Sequence, residues 1–349
     1  MESQITATAR QQINRFCRQY LQLLLDPDYP DDVHLRTDAV QQFLYTRLFQ
    51  ENAISHPPPP RYQLRVLKEL VKRIEESIQD WDEEVGDFPW GISDDLMNSL
   101  APLLCSRIPS EAEAAQQKSF VRYSLSSLPS NSDDSPTVTL LESRNLVAAA
   151  GTTGFRTWEA ALHLGDYLCT HASLVDGKSI LELGSGTGYV SVLCSKHLGA
   201  SRVLSTDGSD DVVDSLSTNF YLNNLQDENT IEAKELKWGH ALLGSEHPQW
   251  NAGRQVDLVL GADLTYDEAI IPPLVATFRE LFDLYPEVQI LIAATVRNQT
   301  TFQKFLETCR AVRYAVNEMN FAIKAKNEQE GPFYSDMAPI QLCMITKPP

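Results

Sequence analysis

The chain has 349 residues, 43% hydrophobic and 22% charged, which suits a soluble globular protein with one large domain and a smaller one. Its net charge of −18 argues against a nucleic-acid backbone as the dominant partner: a polyanion would be repelled, whereas a lysine or a basic protein segment would be attracted. No apolar run reaches the roughly 18 residues of a membrane span, the first residues lack the apolar stretch of a secretory leader, and six scattered cysteines form no Cys-x-x-Cys pair. That cysteine pattern argues against a structural zinc or thioredoxin-like site and fits a reducing compartment. A cytoplasmic protein is expected.

Apolar residues at helical spacing begin the chain. Ile13, Phe16, Tyr20, Leu21 and Leu24 share one face of a helix predicted over 10–25 and ended by Asp26-Pro27. A second helix over 39–50 turns Val40, Phe43, Leu44 and Leu48 inward. Pro57 to Pro60 read as a stiff connector. A third helix over 62–78 carries the stripe Leu64, Leu67, Leu70, Val71, Ile74 and Ile78, and a fourth covers 93–105. Residues 1–115 thus form a helical module without a catalytic signature, its stripes serving as core, with a docking role left open. Two strands, over 120–125 and 137–141, flank a polar stretch at 129–136, so 116–150 reads as a β-hairpin connector.

From residue 151 to 349 strands alternate with helices. Strands are predicted at 179–183, 202–206, 231–236, 256–261 and 288–295, and helices at 158–168, 189–198, 210–223, 268–284 and 299–309. Strands at 314–321 and 340–346, separated by a polar loop, read as an antiparallel pair at the sheet edge. The fold class is α/β: a Rossmann-like, mainly parallel sheet of seven strands with helices on both faces. His163, His171, His197 and His240 have no metal-ligand spacing, and no metal is expected.

The first of these strands runs into Leu181-Glu182-Leu183-Gly184-Ser185-Gly186-Thr187-Gly188, and a helical pattern leaves from Tyr189. A buried strand therefore ends in a glycine-rich turn, where backbone N–H groups approach a ligand that side chains would block. Glu182, just ahead of the glycines, is placed to meet a cationic or hydroxyl-bearing group. The same turn serves nicotinamide, flavin and S-adenosylmethionine sites. Here Tyr189 stands where the dinucleotide fingerprint has its third glycine. Asp207, at the end of the next strand, follows by about the 20 residues expected of a ribose-binding acid, which supports an adenosine cofactor of either class. Trp238, ending the third strand, is placed to cover an adenine face. The fourth strand ends in Gly261-Ala262-Asp263-Leu264-Thr265-Tyr266-Asp267, bringing a carboxylate, Asp263, and a phenol, Tyr266, to the mouth of the crevice. Asp267 reads as a cap for the following helix. Upstream, the loop Gly151-Thr152-Thr153-Gly154 leads to a helix opened by Trp158.

The tight Glu-Leu-Gly-Ser-Gly-Thr-Gly form of the turn resembles the first motif of the seven-stranded S-adenosylmethionine-dependent methyltransferases. The Asn/Asp-Pro-Pro-Tyr signature of the nucleic-acid amino-methyltransferases is absent; Asp263-x-x-Tyr266 stands in its place and resembles the lysine-directed branch. Together with the stretch at 151–161, Leu236-Lys237-Trp238 and Thr295-Val296-Arg297-Asn298, these motifs resemble the elongation factor 2 lysine methyltransferase family, and its fungal members most. The resemblance covers essentially the whole chain, with most of its specificity in the second half. It implies that Trp158, Gly184, Ser185, Gly186, Asp207, Trp238 and Ala262 contact S-adenosylmethionine, that Glu182 supports its methionine end, and that Asp263 and Tyr266 face a substrate lysine. It also implies a monomer acting on a protein, elongation factor 2. A free lysine, with a pKa of about 10.4, is protonated at neutral pH; Asp263 is then expected to hold the amine by a hydrogen bond and Tyr266 to shape the lysine channel. Arg297 is expected either to line the substrate side or to pair with a carboxylate. Two other readings stay open: a lysine methyltransferase with another client, such as a chaperone, and a cofactor-binding interaction protein without turnover.

Overall fold

The computed structural model describes residues 5–80, 91–107, 109–110, 113, 116–130, 135–143, 153–226, 229–240, 242, 251 and 253–347. They fall into two compact units, one holding the described residues up to Ser124 and the other those from Leu125 onward. Of the residues singled out above, Gly151, Thr152 and the hairpin turn at 131–134 lie outside the described set.

The first unit is built from helices α1 (Ala7–Leu21), α2 (Asp32–Leu35), α3 (Asp38–Leu44, extended by a π-helical turn over Tyr45–Phe49), α4 (Pro60–Gln79) and α5 (Asp94–Cys105), with strand β1 (Ser119–Ser124) at its end. Ile13, Phe16, Tyr20, Val40, Leu44, Leu67, Leu70 and Ile74 are buried in its core, as the helical spacing requires. Pro59 and Pro60 open α4, where a missing N–H costs nothing. Helix α1 ends at Leu21, short of Asp26-Pro27. The amide of Leu24 bonds back to the Gln19 carbonyl at 3.1 Å and that of Leu23 to Tyr20 at 3.1 Å, with Leu23 left-handed at φ 59. This is a Schellman closure with leucine at a position that usually takes glycine, and no residue type in the sequence announces it.

The second unit contains β2 (Thr137–Glu142), α6 (Glu159–Thr170), β3 (Ser179–Leu183), α7 (Tyr189–His197), β4 (Arg202–Asp207), α8 (Asp210–Leu222), β5 (Ile231–Glu235), β6 (Leu258–Ala262), α9 (Ile271–Leu284), β7 (Gln289–Thr295), α10 (Gln299–Ala311), β8 (Ala315–Met319) and β9 (Ile340–Thr346). Seven strands form one sheet in the order β5-β4-β3-β6-β7-β9-β8. The first five strands of this order pair in parallel, while β9 pairs antiparallel with both β7 and β8. Because β4 lies on one side of β3 and β6 on the other, the crevice of the sheet opens at the carboxyl end of β3, where the glycine turn stands. Leu181, Val259, Ile290 and Ile292 on the strands, and Phe278, Phe282 and Phe305 on the covering helices, are fully or almost fully buried. Such continuously apolar strands are what a sheet covered on both faces needs. His163 is buried in α6, its ring bonded to the Phe321 carbonyl at 3.1 Å and the Tyr334 hydroxyl at 3.0 Å, so it packs. Among the described residues no helix is long and apolar enough to cross a membrane.

Helix α9 begins at Ile271, later than the predicted residue 268. Pro272 and Pro273 suit a first helical turn, and Asp267 does not cap the helix: its carboxylate accepts from the Ala269 amide at 2.9 Å and closes a turn ahead of it. Asn219 on α8 and Asn223, just past its last residue, lie one turn apart and bond the backbone of β2. Asn223 accepts from the Thr139 amide (3.1 Å) and donates to its carbonyl (2.7 Å). Asn219 accepts from the Leu141 amide (2.8 Å) and donates to the Thr187 carbonyl in the glycine turn (2.8 Å). Both asparagines are 1% exposed, so water does not replace a lost bond. Asn223→Leu is expected to destabilise this unit by about 2 kcal/mol, since it leaves a buried amide and carbonyl unpaired. Urea unfolding checks this, and a change near zero would mean that β2 finds other partners.

Candidate functional site

Gly184, Gly186 and Gly188 have φ of 62, 53 and 81. At Gly184 a Cβ would lie 2.6 Å from Leu264 Cδ2 and 3.2 Å from Trp238 Cζ2, and at Gly186 it would lie 3.1 Å from the Gly154 carbonyl oxygen. Sterics and dihedrals therefore both demand glycine here. The turn is tied to β4. The Ser185 amide and hydroxyl both donate to the Thr206 carbonyl, at 2.8 and 3.1 Å, so the Ser185 side chain holds the turn's shape. The Asp207 carboxylate accepts from the Gly186 amide at 3.1 Å on one oxygen and from the Ser209 amide at 3.1 Å on the other. Burial pushes the Asp207 carboxyl above its usual range, and the surrounding amides pull the other way. Three amides, of Gly186, Ser209 and Gly208, act on the carboxylate, and with about four lone-pair sites Asp207 retains acceptor capacity for a hydroxyl.

On the far wall, Ala262 ends β6 and Asp263 follows at φ 55. Its amide donates to Ala293 on β7 at 2.8 Å. Its carboxylate takes the Thr295 amide at 2.9 Å on one oxygen and the Thr295 hydroxyl at 3.0 Å on the other. Arg297 adds one longer contact to each oxygen, both at 3.4 Å. Arg297 also donates to Glu159 at 2.9 Å, and its guanidinium lies 5.2 Å from the centre of the Trp158 ring. Arg156 sits 5.0 Å from the same ring and 3.5 Å from the other Glu159 oxygen. Arg297 thus pairs with carboxylates, one of its two expected roles, and it lines the cleft. Tyr266 is 58% exposed, a large aromatic ring left at the rim.

All ten residues named from the sequence (Trp158, Glu182, Gly184, Ser185, Gly186, Asp207, Trp238, Ala262, Asp263 and Tyr266) line one cleft of about 610 Å³. That volume is within the range of small-ligand sites. A glycine cradle with no room for Cβ atoms, a carboxylate with spare acceptor capacity one strand away, and Trp158 and Trp238 in the walls suit a nucleoside-bearing cofactor with a cationic centre. The sequence pattern of the lysine methyltransferase family matches residues 141–312. The chain is 51% identical to Protein-lysine N-methyltransferase EFM3 of Chaetomium thermophilum, across 98% of this chain and 100% of that protein.

The chain belongs to the lysine methyltransferase family. It is also 35% identical to Protein-lysine N-methyltransferase EFM3 of Saccharomyces cerevisiae, over 66% of this chain and 69% of that one. To Protein-lysine N-methyltransferase EEF2KMT of Homo sapiens it is 28% identical, over 77% and 76% respectively. It is an S-adenosylmethionine-dependent protein-lysine methyltransferase.

Of the partners that hold this methyltransferase's site residues in place, Arg297 carried a signal in the sequence and Glu159, Thr157 and Thr187 carried none of their own. Glu159 and Arg297 are 138 residues apart, and Thr157 meets Thr187 hydroxyl to hydroxyl at 2.7 Å across 30 residues. The stretch Thr295-Val296-Arg297-Asn298 carried a signal as a motif, but only the pairing of β6 with β7 sets Thr295 against Asp263. Glu182 is a further case. It is 3% exposed, and burial pushes its carboxyl up to about 7, against the opposing hydrogen bond from the Ser191 hydroxyl. Between the ordinary carboxyl range and that value the unfolded chain has lost this proton while the folded chain keeps it, so this group makes stability fall as pH rises through the window. Glu182→Gln is expected to flatten that decline. Urea unfolding from about pH 5 to about pH 7.5 measures it, and an unchanged slope would show that Glu182 titrates normally.

Proposed function

We propose that this methyltransferase modifies a lysine of translation elongation factor 2. The carrying observation is a carboxylate and an exposed phenol, Asp263 and Tyr266, at the mouth of the glycine-floored cleft. The sequence motifs support this substrate, as do relatives whose names, EFM3 and EEF2KMT, point to elongation-factor lysine methylation. The acidic chain adds long-range attraction for a basic target segment.

Bound S-adenosylmethionine supplies a methyl group already activated by its sulfonium. The chain's own residues bind and aim. Asp207 would take the ribose hydroxyls, Trp158 and Trp238 would stand beside the nucleoside, and the turn from Gly184 to Gly186, with Ala262, would allow close backbone approach. Glu182 supports the methionine end. Asp263 accepts a hydrogen bond from the lysine ε-nitrogen and directs its lone pair, and Tyr266 forms one side of the lysine channel. Each transfer forms one N–C bond, breaks one S–C bond and releases one proton, which leaves through the exposed rim to water. Holding the amine in a productive pose is worth several kcal/mol, whereas a lone carboxylate beside an ammonium would keep it charged.

Labelled methyl transfer into recombinant unmethylated elongation factor 2 tests the substrate, with whole-cell extract lacking that factor as the contrast. Incorporation into the factor is expected; incorporation only into other proteins would sink the proposal. Asp263→Ala is expected to lower kcat about a hundredfold with cofactor affinity within about threefold of wild type. Near-normal turnover would remove Asp263 from its role. Asp207→Asn is expected to weaken cofactor binding about tenfold or more, read by calorimetry.

A further inference from the structure

Asp263 is the carboxylate that must meet the substrate nitrogen, and its acceptors are full. Each of its oxygens takes one Thr295 bond, at 2.9 or 3.0 Å, and one Arg297 contact at 3.4 Å. That accounts for about all four lone-pair sites of a carboxylate. An entering nitrogen must therefore displace a donor, and the two guanidinium contacts are the longest. Arg297 does not leave when it yields them, because its bond to Glu159 is 2.9 Å and Trp158 lies under it.

Charge gives this arrangement a purpose. Arg156, Glu159, Arg297 and Asp263 are linked by ion pairs and their formal charges sum to zero, with Glu182, Asp207 and Lys237 elsewhere in the lining of the cleft. Without Arg297 the group would carry a net negative charge in a chain that is already at −18. Such a site would bind a lysine tightly as the ammonium, the form without a lone pair. We propose that Arg297 is a positioning residue that keeps Asp263 electrically neutralised, so that the site accepts the substrate nitrogen as the free amine and orients it without holding its proton. Glu159 is the second anchor that keeps Arg297 in reach while one oxygen of Asp263 changes partner. This rests on the lysine-methylating role given above to Asp263.

The test is the pH profile of kcat for methyl transfer into recombinant unmethylated elongation factor 2, from about pH 6.5 to about pH 10. Arg297→Gln is expected to move the ascending limb upward by about one pH unit, with about tenfold loss near pH 7.5 that closes toward pH 10. Arg297→Lys, which keeps the charge, is expected to hold the limb near its wild-type position. Cofactor affinity by calorimetry is expected within about threefold of wild type in both. A loss of equal size at every pH, or no loss, overturns the proposal. A second measurement does not depend on the protein substrate: n-butylamine binding to the enzyme with S-adenosylhomocysteine, followed by NMR. Wild type is expected to bind more tightly at about pH 10 than at about pH 7, and Arg297→Gln to reverse that order. The same order in both proteins would also overturn the role of Arg297. If elongation factor 2 takes no methyl from wild type, the substrate assignment fails and the amine titration still decides Arg297.

Discussion

The carbonyl oxygen of Thr206 accepts from both the amide and the hydroxyl of Ser185, and the geometry of the cleft depends on that clamp. Thr206 is paired in register with Leu183, the last residue of β3, so the turn is fastened to its neighbouring strand at the point where it leaves its own. The next residue, Asp207, then catches the Gly186 amide. With the turn held at both places, Gly184, Gly186 and Gly188 keep their left-handed conformations, and their missing side chains are used. Leu264 fills the space that a Cβ on Gly184 or Gly261 would need, and Leu216 the space at Gly188. A side chain at any of these positions meets a packed neighbour, and interiors at near-crystalline density transmit such a collision.

The parallel sheet converts this local clamp into a site. Strands β3, β4 and β6 run the same way, so the residues at or just past their carboxyl ends arrive together: the glycine turn, Asp207 and Asp263. The antiparallel β9 beside β7 does not disturb that edge, because Asp263 takes its partners, Ala293 and Thr295, from β7 itself. Binding a cation is then a matter of degree. An acidic chain draws a lysine in, and on the proposed reading the last contact must be nearly neutral, or attraction becomes capture of the unreactive form.

Several features were legible before any coordinates because their cause is local. Strands β3, β6 and β7 read as apolar runs, and the helices between the strands as stripes of period near 3.6. The glycine turn was legible because glycine takes left-handed dihedrals without a steric penalty, and Asp207, Trp238 and Asp263 because residues at strand ends face the crevice. The ends of α1 and the start of α9 were not, since a leucine in a Schellman closure and an aspartate closing a turn outside the helix carry no distinctive local composition.

What the sequence determined by itself was which residues can reach the cleft: backbone sterics and the alternation of strand and helix leave little choice. What only the tertiary structure decided was the state of those residues. Burial raises the Glu182 carboxyl, Ser185 turns its hydroxyl to Thr206 instead of the cleft, and Asp263 carries Thr295 and Arg297 on its oxygens. The physical reason is that desolvation and hydrogen-bond partners are set largely by groups distant in sequence, 21 residues away for Ser185 and 32 and 34 for Asp263, which strand order brings together and no local pattern encodes.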